Sequence, residues 1–340
     1  MIPELSIRNR YLITPARHRP AAVLCALLVL YSGCSQTLVQ DKLNLVLKPT
    51  LGKSYVMRIA VEDKVTQGPQ GQQININQIK TTQLDFDVNG TDAAGITSLK
   101  VTFQGIREKK SSPRGFFEYD YSSIASAKDN PLTTTYNAMI GESFVIEVNK
   151  NGEIIEVDAE DMFGRVAEKI INSEDEIMKR SGKEYQGQED RNQRIEWMKK
   201  GIKTFSLTSA EYLKELAGNC LAPYPGKDVK IGGSWAGKFK AILLIPVETE
   251  GTYTLKKRTQ GQALIEVNSK KPITDQPIPE SGNRATFTGN VSVEGNLEIN
   301  EANGWMFRKN VKMRLAGEIK ERAKTMPATI EKIITVESVE

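Results

Sequence analysis

The chain of 340 residues is 39% hydrophobic, and its 46 Lys and Arg residues against 42 Asp and Glu residues give a net charge of +4. This composition is typical of a globular protein and not of a disordered chain. A charge this close to zero excludes the strongly basic surface that nucleic-acid binding needs, so we expect no nucleic-acid partner.

The first 33 residues have the pattern of a secretory signal peptide. Four arginines come before the apolar run Ala21–Leu30, which is too short to cross a bilayer as a helix. The run ends in Tyr31-Ser-Gly-Cys34, and small residues directly before a cysteine resemble the lipobox of bacterial lipoproteins. That resemblance implies cleavage between Gly33 and Cys34 and a thioether between the Cys34 sulfur and diacylglycerol. Tyr31 departs from the family pattern, which prefers Leu at this position.

Lipidation would change what the mature chain contains. Ser35 resembles the sorting pattern that favours the outer over the inner membrane in cells with two membranes, and residues 34–41 would form a tether. His18 and Cys25 would leave with the signal peptide, so the mature chain would have no histidine and one thiol, Cys220. Its net charge would be +1, because four Arg and one Glu are also removed. Simple secretion and an uncleaved anchor are the alternatives.

These losses exclude several kinds of chemistry. Catalysis of the Ser-His-Asp or Cys-His type needs an imidazole, and ordinary zinc sites need several cysteines or histidines. An intramolecular disulfide needs a second thiol. We therefore expect a fold that is held by its core, with no cofactor and no metal.

Alternation with period two predicts antiparallel strands after the tether, each with one dry and one wet face. The residues predicted to face the core in this part are Leu43, Leu45, Leu47, Tyr55, Met57, Ile59, Val61, Ile74, Ile76, Leu84, Phe86, Val88, Leu99, Val101 and Phe103.

Helical spacing replaces the alternation in the middle of the chain. Apolar residues between Phe163 and Ile170 recur at that spacing, and capping boxes at Ser173 and Thr208 indicate that helices begin there. We expect the apolar stripe to pack on a concave sheet; a lipid-binding or partner-binding face is the alternative.

Alternation is clearest in the C-terminal strands. It places Val293 and Leu315 on the dry face and Glu294 and Arg314 on the wet face, and it also turns Phe307 inward.

The predicted fold class is mainly β (α+β), with long twisted antiparallel sheet in two β-rich parts and a helical segment between them. The organisation is a signal peptide (1–33), a lipidated tether (34–41), an N-terminal β part (42–158), a helical segment (159–220) and a C-terminal β part (221–340). Whether the two β parts form one sheet or two domains stays open.

Three segments carry a family resemblance. They are the run Gly141–Val157, Tyr224-Pro225 with the following Ile231-Gly-Gly-Ser-Trp235, and the ending Met326–Ile330. Together they resemble a β-rich bacterial lipoprotein family of unknown function. The resemblance covers most of the mature chain and implies a β-rich envelope lipoprotein, but it supplies no activity and no functional residues.

An aromatic segment near residue 120 is the candidate ligand-binding site. In a strand, Phe117, Tyr119 and Tyr121 line one face and Glu118 and Asp120 the other. An aromatic row beside acids suits stacking on a sugar or a peptide. A core edge with hydroxyl groups at its rim is the alternative.

Carboxylates are the remaining route to catalysis. Acids are crowded between Glu153 and Asp161, and Glu118 and Asp120 share one side of a strand. A pair held about 5–9 Å apart in a cleft could hydrolyse a glycan. The alternative is a solvated face next to a helix N-terminus, which favours acids.

The function expected from these observations is a lipid-anchored, non-enzymatic role in the cell envelope, in binding, assembly or surface structure. The expected partners are the membrane, through the N-terminal lipid, and an envelope protein or glycan. One alternative is a carrier that encloses a hydrophobic ligand, an acyl chain or a lipoprotein-like ligand, in a curved sheet. The other is a carboxylate hydrolase acting on envelope glycans.

Overall fold

The structure is a computed structural model that describes most of the chain after residue 41. The described ranges are residues 42–69, 71–123, 130–182, 188–204, 209–282, 284–322 and 324–339. The predicted signal peptide, the lipid-attachment residue Cys34 and the predicted tether lie outside the described residues.

Strands dominate the described residues, and helices occupy the middle of the chain. The strands are β1 (Leu43–Asn44), β2 (Ser54–Gln67), β3 (Ile74–Thr91), β4 (Thr97–Ser112), β5 (Gly115–Asp120), β6 (Ser143–Val148), β7 (Ile154–Asp158), β8 (Asp228–Val229), β9 (Ser234–Ile242), β10 (Pro246–Thr259), β11 (Gln262–Pro277), β12 (Ala285–Asn300), β13 (Met306–Glu321) and β14 (Lys324–Ser338). The helices are α1 (Pro131–Met139), α2 (Glu160–Arg180), α3 (Gln188–Thr204) and α4 (Ala210–Gly218). Among the residues described, no helix is long and apolar enough to cross a membrane.

Twelve of the strands form one antiparallel sheet, and the prediction of a mainly β fold is confirmed. The order along the sheet is β7-β6-β4-β3-β2-β14-β13-β12-β11-β10-β9, and β5 pairs with the part of β4 that β6 leaves open. β1 and β8 pair separately. The two β-rich parts join because β2 pairs with β14, with Val61 opposite Ile334.

Helices cover one face of this sheet, which we call the inner face. α2 buries a stripe at helical spacing, made of Met162, Phe163, Val166, Ala167 and Ile170. α4 buries Leu213, Leu216 and Ala217. These side chains share one large core with inward-facing residues of the sheet, such as Met57, Leu84 and Phe144. The apolar stripe therefore packs on the sheet, as predicted.

A smaller core lies on the C-terminal strands, centred on Phe287, Leu315 and Ile245, which are all fully buried. Gly289 and Gly317 lie opposite each other on β12 and β13, and the ring of Phe287 covers them. A Cβ atom on Gly317 would lie 2.8 Å from that ring. The absence of side chains at this pair therefore lets an aromatic ring rest directly on the backbone.

Three predictions about side-chain direction and helix starts need correction. Phe307 is only half-buried, and Met306 faces the core instead, because a register shift at Glu298 inserts an extra residue and reverses the parity. Ile74 is 50% exposed because it lies at the tip of the β2–β3 hairpin, outside the residues that form either core. Ser173 lies inside α2 and does not begin a helix.

Two further helix starts differ from the sequence analysis. Thr208 lies outside the described residues, and the cap of α4 is Ser209, whose Oγ accepts a hydrogen bond from the Tyr212 N–H at 3.2 Å. α1 was not predicted. It begins after Asn130, whose side chain accepts a hydrogen bond from the Leu132 N–H at 2.9 Å.

The predicted directions of Val293, Leu315, Glu294 and Arg314 are confirmed, with the first two buried and the last two exposed. We therefore expect Leu315→Ala to lower the free energy of unfolding by roughly 2–5 kcal/mol, because it leaves a cavity in the smaller core. Urea melts of the two variants measure this. Arg314→Ala, on the neighbouring outward position, is the control and should stay within about 0.5 kcal/mol of the wild type. Equal losses would contradict the register of β13.

Candidate functional site

Charged and amide side chains interrupt the inner face of the sheet beneath α4, and we call them the inner polar cluster. Its members on the sheet are Asp63 (β2), Gln78 and Lys80 (β3), Glu108 (β4), Lys309 (β13) and Lys332 (β14). The strand register brings most of them together, because Asp63 lies opposite both Gln78 and Lys332, and Lys80 lies opposite Glu108. The cluster therefore crosses the junction between the two β-rich parts.

α4 supplies the facing side of the inner polar cluster. Tyr212, Glu215 and Asn219 are three and four residues apart, so they lie along one face of the helix. The Lys80 Nζ donates a hydrogen bond to the Tyr212 hydroxyl at 2.8 Å, and the Lys309 Nζ donates to Asn219 Oδ1 at 3.0 Å. The polar face of α4 is thus bonded to strands from both β-rich parts.

Lys80 and Glu108 form the end of the cluster that lies below α1. The Lys80 ammonium is 4.7 Å from the ring centroid of Tyr136 and 5.0 Å from that of Tyr212, a cation–π arrangement. Glu108 is 3% exposed and accepts hydrogen bonds from the Tyr136 hydroxyl and, at 2.9 Å, from Gln78 Nε2. Burial raises the pKa of Tyr136, with a further contribution from the Glu108 charge, so the phenol keeps the proton that it donates.

Asp63 and Glu215 are the acids of the cluster that burial affects most. The Asp63 carboxylate is 3.9 Å from the Lys332 Nζ. Burial raises the pKa of Asp63, and Lys332 opposes the shift. Burial also raises the pKa of Glu215, where the charges of Lys332 and Lys309 oppose the shift and that of Asp63 adds to it. Such acids are candidates for proton transfer, but here the charge of Lys332 acts on both and favours their ionised forms.

Lys309 and Cys220 lie at the opposite end of the cluster from Lys80 and Glu108. Burial lowers the pKa of Lys309 to about 8, although the Cys220 and Glu215 charges oppose this shift. Cys220 is the free cysteine of the described residues and is fully buried. Burial raises the pKa of its thiol, so it is protonated at neutral pH and behaves as a small packing residue.

The structure separates the three residues of the predicted aromatic row. Tyr119 is 1% exposed, and its hydroxyl donates a hydrogen bond to Asn137 Oδ1 at 2.6 Å. Burial raises its pKa to about 12. Phe117 is half-buried, while Tyr121 is exposed and lies on the backbone of Gly105. A ligand on this face could therefore reach Phe117 and Tyr121 but not Tyr119.

The acids beside that row form ion pairs with basic residues of β4. Glu118 pairs with Lys109 at 2.7 Å and Asp120 with Arg107 at 3.0 Å. The Ser122 hydroxyl and N–H lower the pKa of Asp120, as does Arg107, which favours the carboxylate over the acid form.

Three of the acids between residues 153 and 161, namely Glu156, Asp158 and Glu160, line an open groove of about 360 Å³ beside β7, and Glu153 and Asp161 do not. Glu160, in this groove, pairs with Lys199 at 2.8 Å and with Lys203 at 2.6 Å. These hydrogen bonds lower its pKa, so it is a poor proton donor. A second open groove of about 400 Å³, between α2 and α3, is lined by residues that include Arg165 and Arg191. In the described ranges, no three acids, cysteines or histidines are placed to hold a metal ion.

The inner polar cluster was not predicted by the sequence analysis, although one sign of it is present in the sequence. Asp63 and Lys332 occupy positions that the alternation of β2 and β14 assigns to the dry face. A charge at an inward position is unusual, because burying it unpaired is costly. The residues of α1 and α4 that contact this cluster could not be predicted from the sequence, since Tyr212 is 132 residues from Lys80.

Two of the three segments that carry the family resemblance, Gly141–Val157 and Tyr224–Trp235, contact each other, while Met326–Ile330 lies on β14. The Tyr224 N–H donates to the Asn151 carbonyl at 2.9 Å, and the Tyr224 hydroxyl donates to the carbonyl of Gly304. The Trp235 Nε1 donates to the Pro223 carbonyl at 3.0 Å. These residues hold loops of both β-rich parts together, which is a structural role.

We expect the stability of the wild type relative to Lys309→Met to rise between about pH 8 and pH 10. The folded-state pKa near 8 lies below the usual 10.5, so the unfolded chain binds more protons in this window. The free energy of unfolding should then rise with pH by at most about 1.4 kcal/mol per unit. Urea melts across this pH range measure the difference.

Arg314→Met is the control for this prediction. It removes a cation from the outer face of the same strand, and a guanidinium keeps its proton throughout the range. Its stability difference from the wild type should therefore not vary with pH. A flat difference for Lys309→Met would contradict the burial of that ammonium group.

Comparisons with known proteins identify a family. No curated protein matches the chain at a significant level. Among solved structures, lipovitellin is similar with 7% identity and a TM-score of 0.41, covering 86% of this chain. The chain spans only 25% of that lipovitellin chain.

Two further structures are similar at lower scores. DynF from the dynemicin biosynthesis pathway of Micromonospora chersina has 5% identity and a TM-score of 0.20, over 86% of this chain and 83% of that one. An outer-membrane channel from Pseudomonas putida F1 has 6% identity and a TM-score of 0.18, over 86% and 97%. All three TM-scores are below 0.5, so these similarities support no argument about function. The sequence model of a family of unknown function (DUF6263) matches residues 94–306, which is more than half of the chain, and the protein belongs to this family.

Proposed function

We propose that this protein is a lipid-anchored, non-enzymatic component of the cell envelope that acts by binding or assembly at a membrane surface. The sequence from Tyr31 to Ser35, behind a charged and then apolar leader, supports the anchor. Ser35 favours the outer membrane in a cell that has two. The expected partner beyond the lipid is an envelope protein or glycan.

One observation carries the non-enzymatic part of the proposal. The ionisable groups of the inner polar cluster pair with one another or with side chains of α4 and Asn219 at its end. Charges arranged in this way hold helices and strands together, and neither of the two grooves among the described residues is lined by a member of the cluster. The exposed acids Glu118 and Asp120 are likewise engaged by cations of β4.

The two rival functions find less support in this geometry. A carrier of an acyl chain needs an enclosed apolar space, whereas the two grooves are open and lined partly by charged residues. A glycan hydrolase needs one acid that keeps its proton and a second acid facing it across a cleft. The Lys199 and Lys203 pairs of Glu160 work against the first requirement.

The anchor is tested by Cys34→Ser, because thioether formation requires the thiol. We expect this variant to leave the membrane fraction and to lose incorporation of labelled palmitate. Cys25→Ser is the matched control: it replaces the cysteine of the leader and should keep both the label and the membrane location. Continued labelling and sedimentation of Cys34→Ser would show that the protein is not lipidated at this residue.

A further inference from the structure

The sheet ends in two strands that have no neighbour on one side among the residues described, β7 and β9. An edge strand presents free N–H and C=O groups on which another strand can pair. Each of these two edges carries a pair of like charges two residues apart, and the sign differs between them.

The β9 edge is basic on its outer face. The side chains of Lys238 and Lys240 are 65% and 73% exposed, and their ion pairs with Glu248 are long, at 3.4 and 3.6 Å. Phe239, between the two lysines, faces inward and stacks on Tyr253 with 5.1 Å between the ring centroids. The edge therefore alternates lysine outside with an aromatic residue inside.

The β7 edge is acidic on its outer face. Glu156 and Asp158 are exposed, and Val157 between them is half-buried on the inner face. The groove of about 360 Å³ runs beside this strand, where Glu211 adds an acid and Glu160 is paired with Lys203. The alternation matches that of β9, with the opposite charge.

The backbone of β7 is oriented for pairing at Val157. The Asn149 N–H donates to the Glu153 carbonyl at 3.0 Å, so the odd-numbered residues of β6 bond towards β7. Val157 lies opposite the even-numbered Ile146. Its N–H and C=O groups are therefore turned to the free edge, since backbone bonding alternates along a strand.

The backbone of β9 is oriented for pairing at its two lysines. In β10, the Leu255 N–H donates to the Gly233 carbonyl at 3.0 Å, so the odd-numbered residues of β10 and β9 bond to each other. The even-numbered Lys238 and Lys240 therefore turn their N–H and C=O groups to the free edge.

The strand directions then fix how two copies can meet. Eleven strands alternate in direction along the path from β7 to β9, so these two strands run the same way. Two copies placed edge to edge in the same orientation bring β9 of one parallel to β7 of the next. In a parallel pair, one residue bonds to the two residues that flank its neighbour, which is the arrangement that Val157, Lys238 and Lys240 offer.

We propose that copies of this chain assemble head to tail, with β9 of one copy added in parallel to β7 of the next. The register pairs Glu156 with Lys238, Asp158 with Lys240, and Val157 with Phe239. Two β9 edges, or two β7 edges, would bring like charges together and repel. A contact between different edges closes into a ring or continues as a filament. This inference goes beyond the proposed function and does not depend on the lipid.

The test is a charge exchange in the full chain, purified in a non-ionic detergent and measured by light scattering after gel filtration. The wild type should form oligomers. Two variants reverse the charge of one edge each: Lys238→Glu with Lys240→Glu, and Glu156→Lys with Asp158→Lys. Each should associate at least about tenfold more weakly than the wild type. An equimolar mixture of the two variants should assemble again, because acidic and basic edges are then both present.

The matched control replaces Lys312 and Arg314 by Glu. These two cations have the same spacing and also share one acid, Glu331, but they lie on a central strand with no free edge. This variant should associate like the wild type. A monomeric wild type would overturn the proposal. So would an equimolar mixture that stays monomeric although both variants keep the circular dichroism spectrum of the wild type.

Crosslinking gives a second measurement that does not depend on charge. A chain with both Glu156→Cys and Lys238→Cys should form a ladder of dimers and higher species on a non-reducing gel after mild oxidation. A chain with Glu156→Cys and Lys312→Cys should form no ladder beyond dimers. Equal patterns for the two chains would contradict contact between β7 and β9.

Discussion

The pairing of β2 with β14 is the constraint on which the rest of the structure depends. These strands lie at opposite ends of the described chain, and they pair from Met57 opposite Ser338 to Gln67 opposite Ala328. Without this junction, each β-rich part would be a separate sheet with one more open edge. With it, the helices of the middle segment cover a single surface to which both parts contribute, so the larger core spans the junction.

The inner polar cluster gives this junction its register. Asp63 and Lys332 lie directly opposite each other across it, at positions where the strands would otherwise present apolar side chains. Sliding either strand by one residue would turn every side chain to the other face and would expose the apolar ones. Lys332 and Asp63 are 13% and 29% exposed, and such a partly buried ion pair adds little net stability because both charges lose water. We infer that its contribution here is to the specificity of pairing.

The fold class was predictable because alternation is a local property of the sequence, and it assigned Val293 and Leu315 correctly. One error in side-chain direction arose where an extra residue changes the alternation, at the irregularity by Glu298 that turns Met306 inward in place of Phe307. The inward direction of the Asp63 side chain also follows from the alternation along β2. Its partners do not, because contacts such as Lys80 with Tyr212 depend on how α4 crosses the strands, and spacing within one element carries no information about that.

The pairing of β2 with β14 also determines when the sheet can be completed during synthesis of the chain. The second neighbour of β2 begins at Lys324, so the sheet cannot be completed until β14 has been synthesised. Pairing between such distant segments is slow, since a long loop must close before any contact forms. Until β14 is present, β2 can pair on one side only, with β3, and its other edge stays open to pairing with another chain.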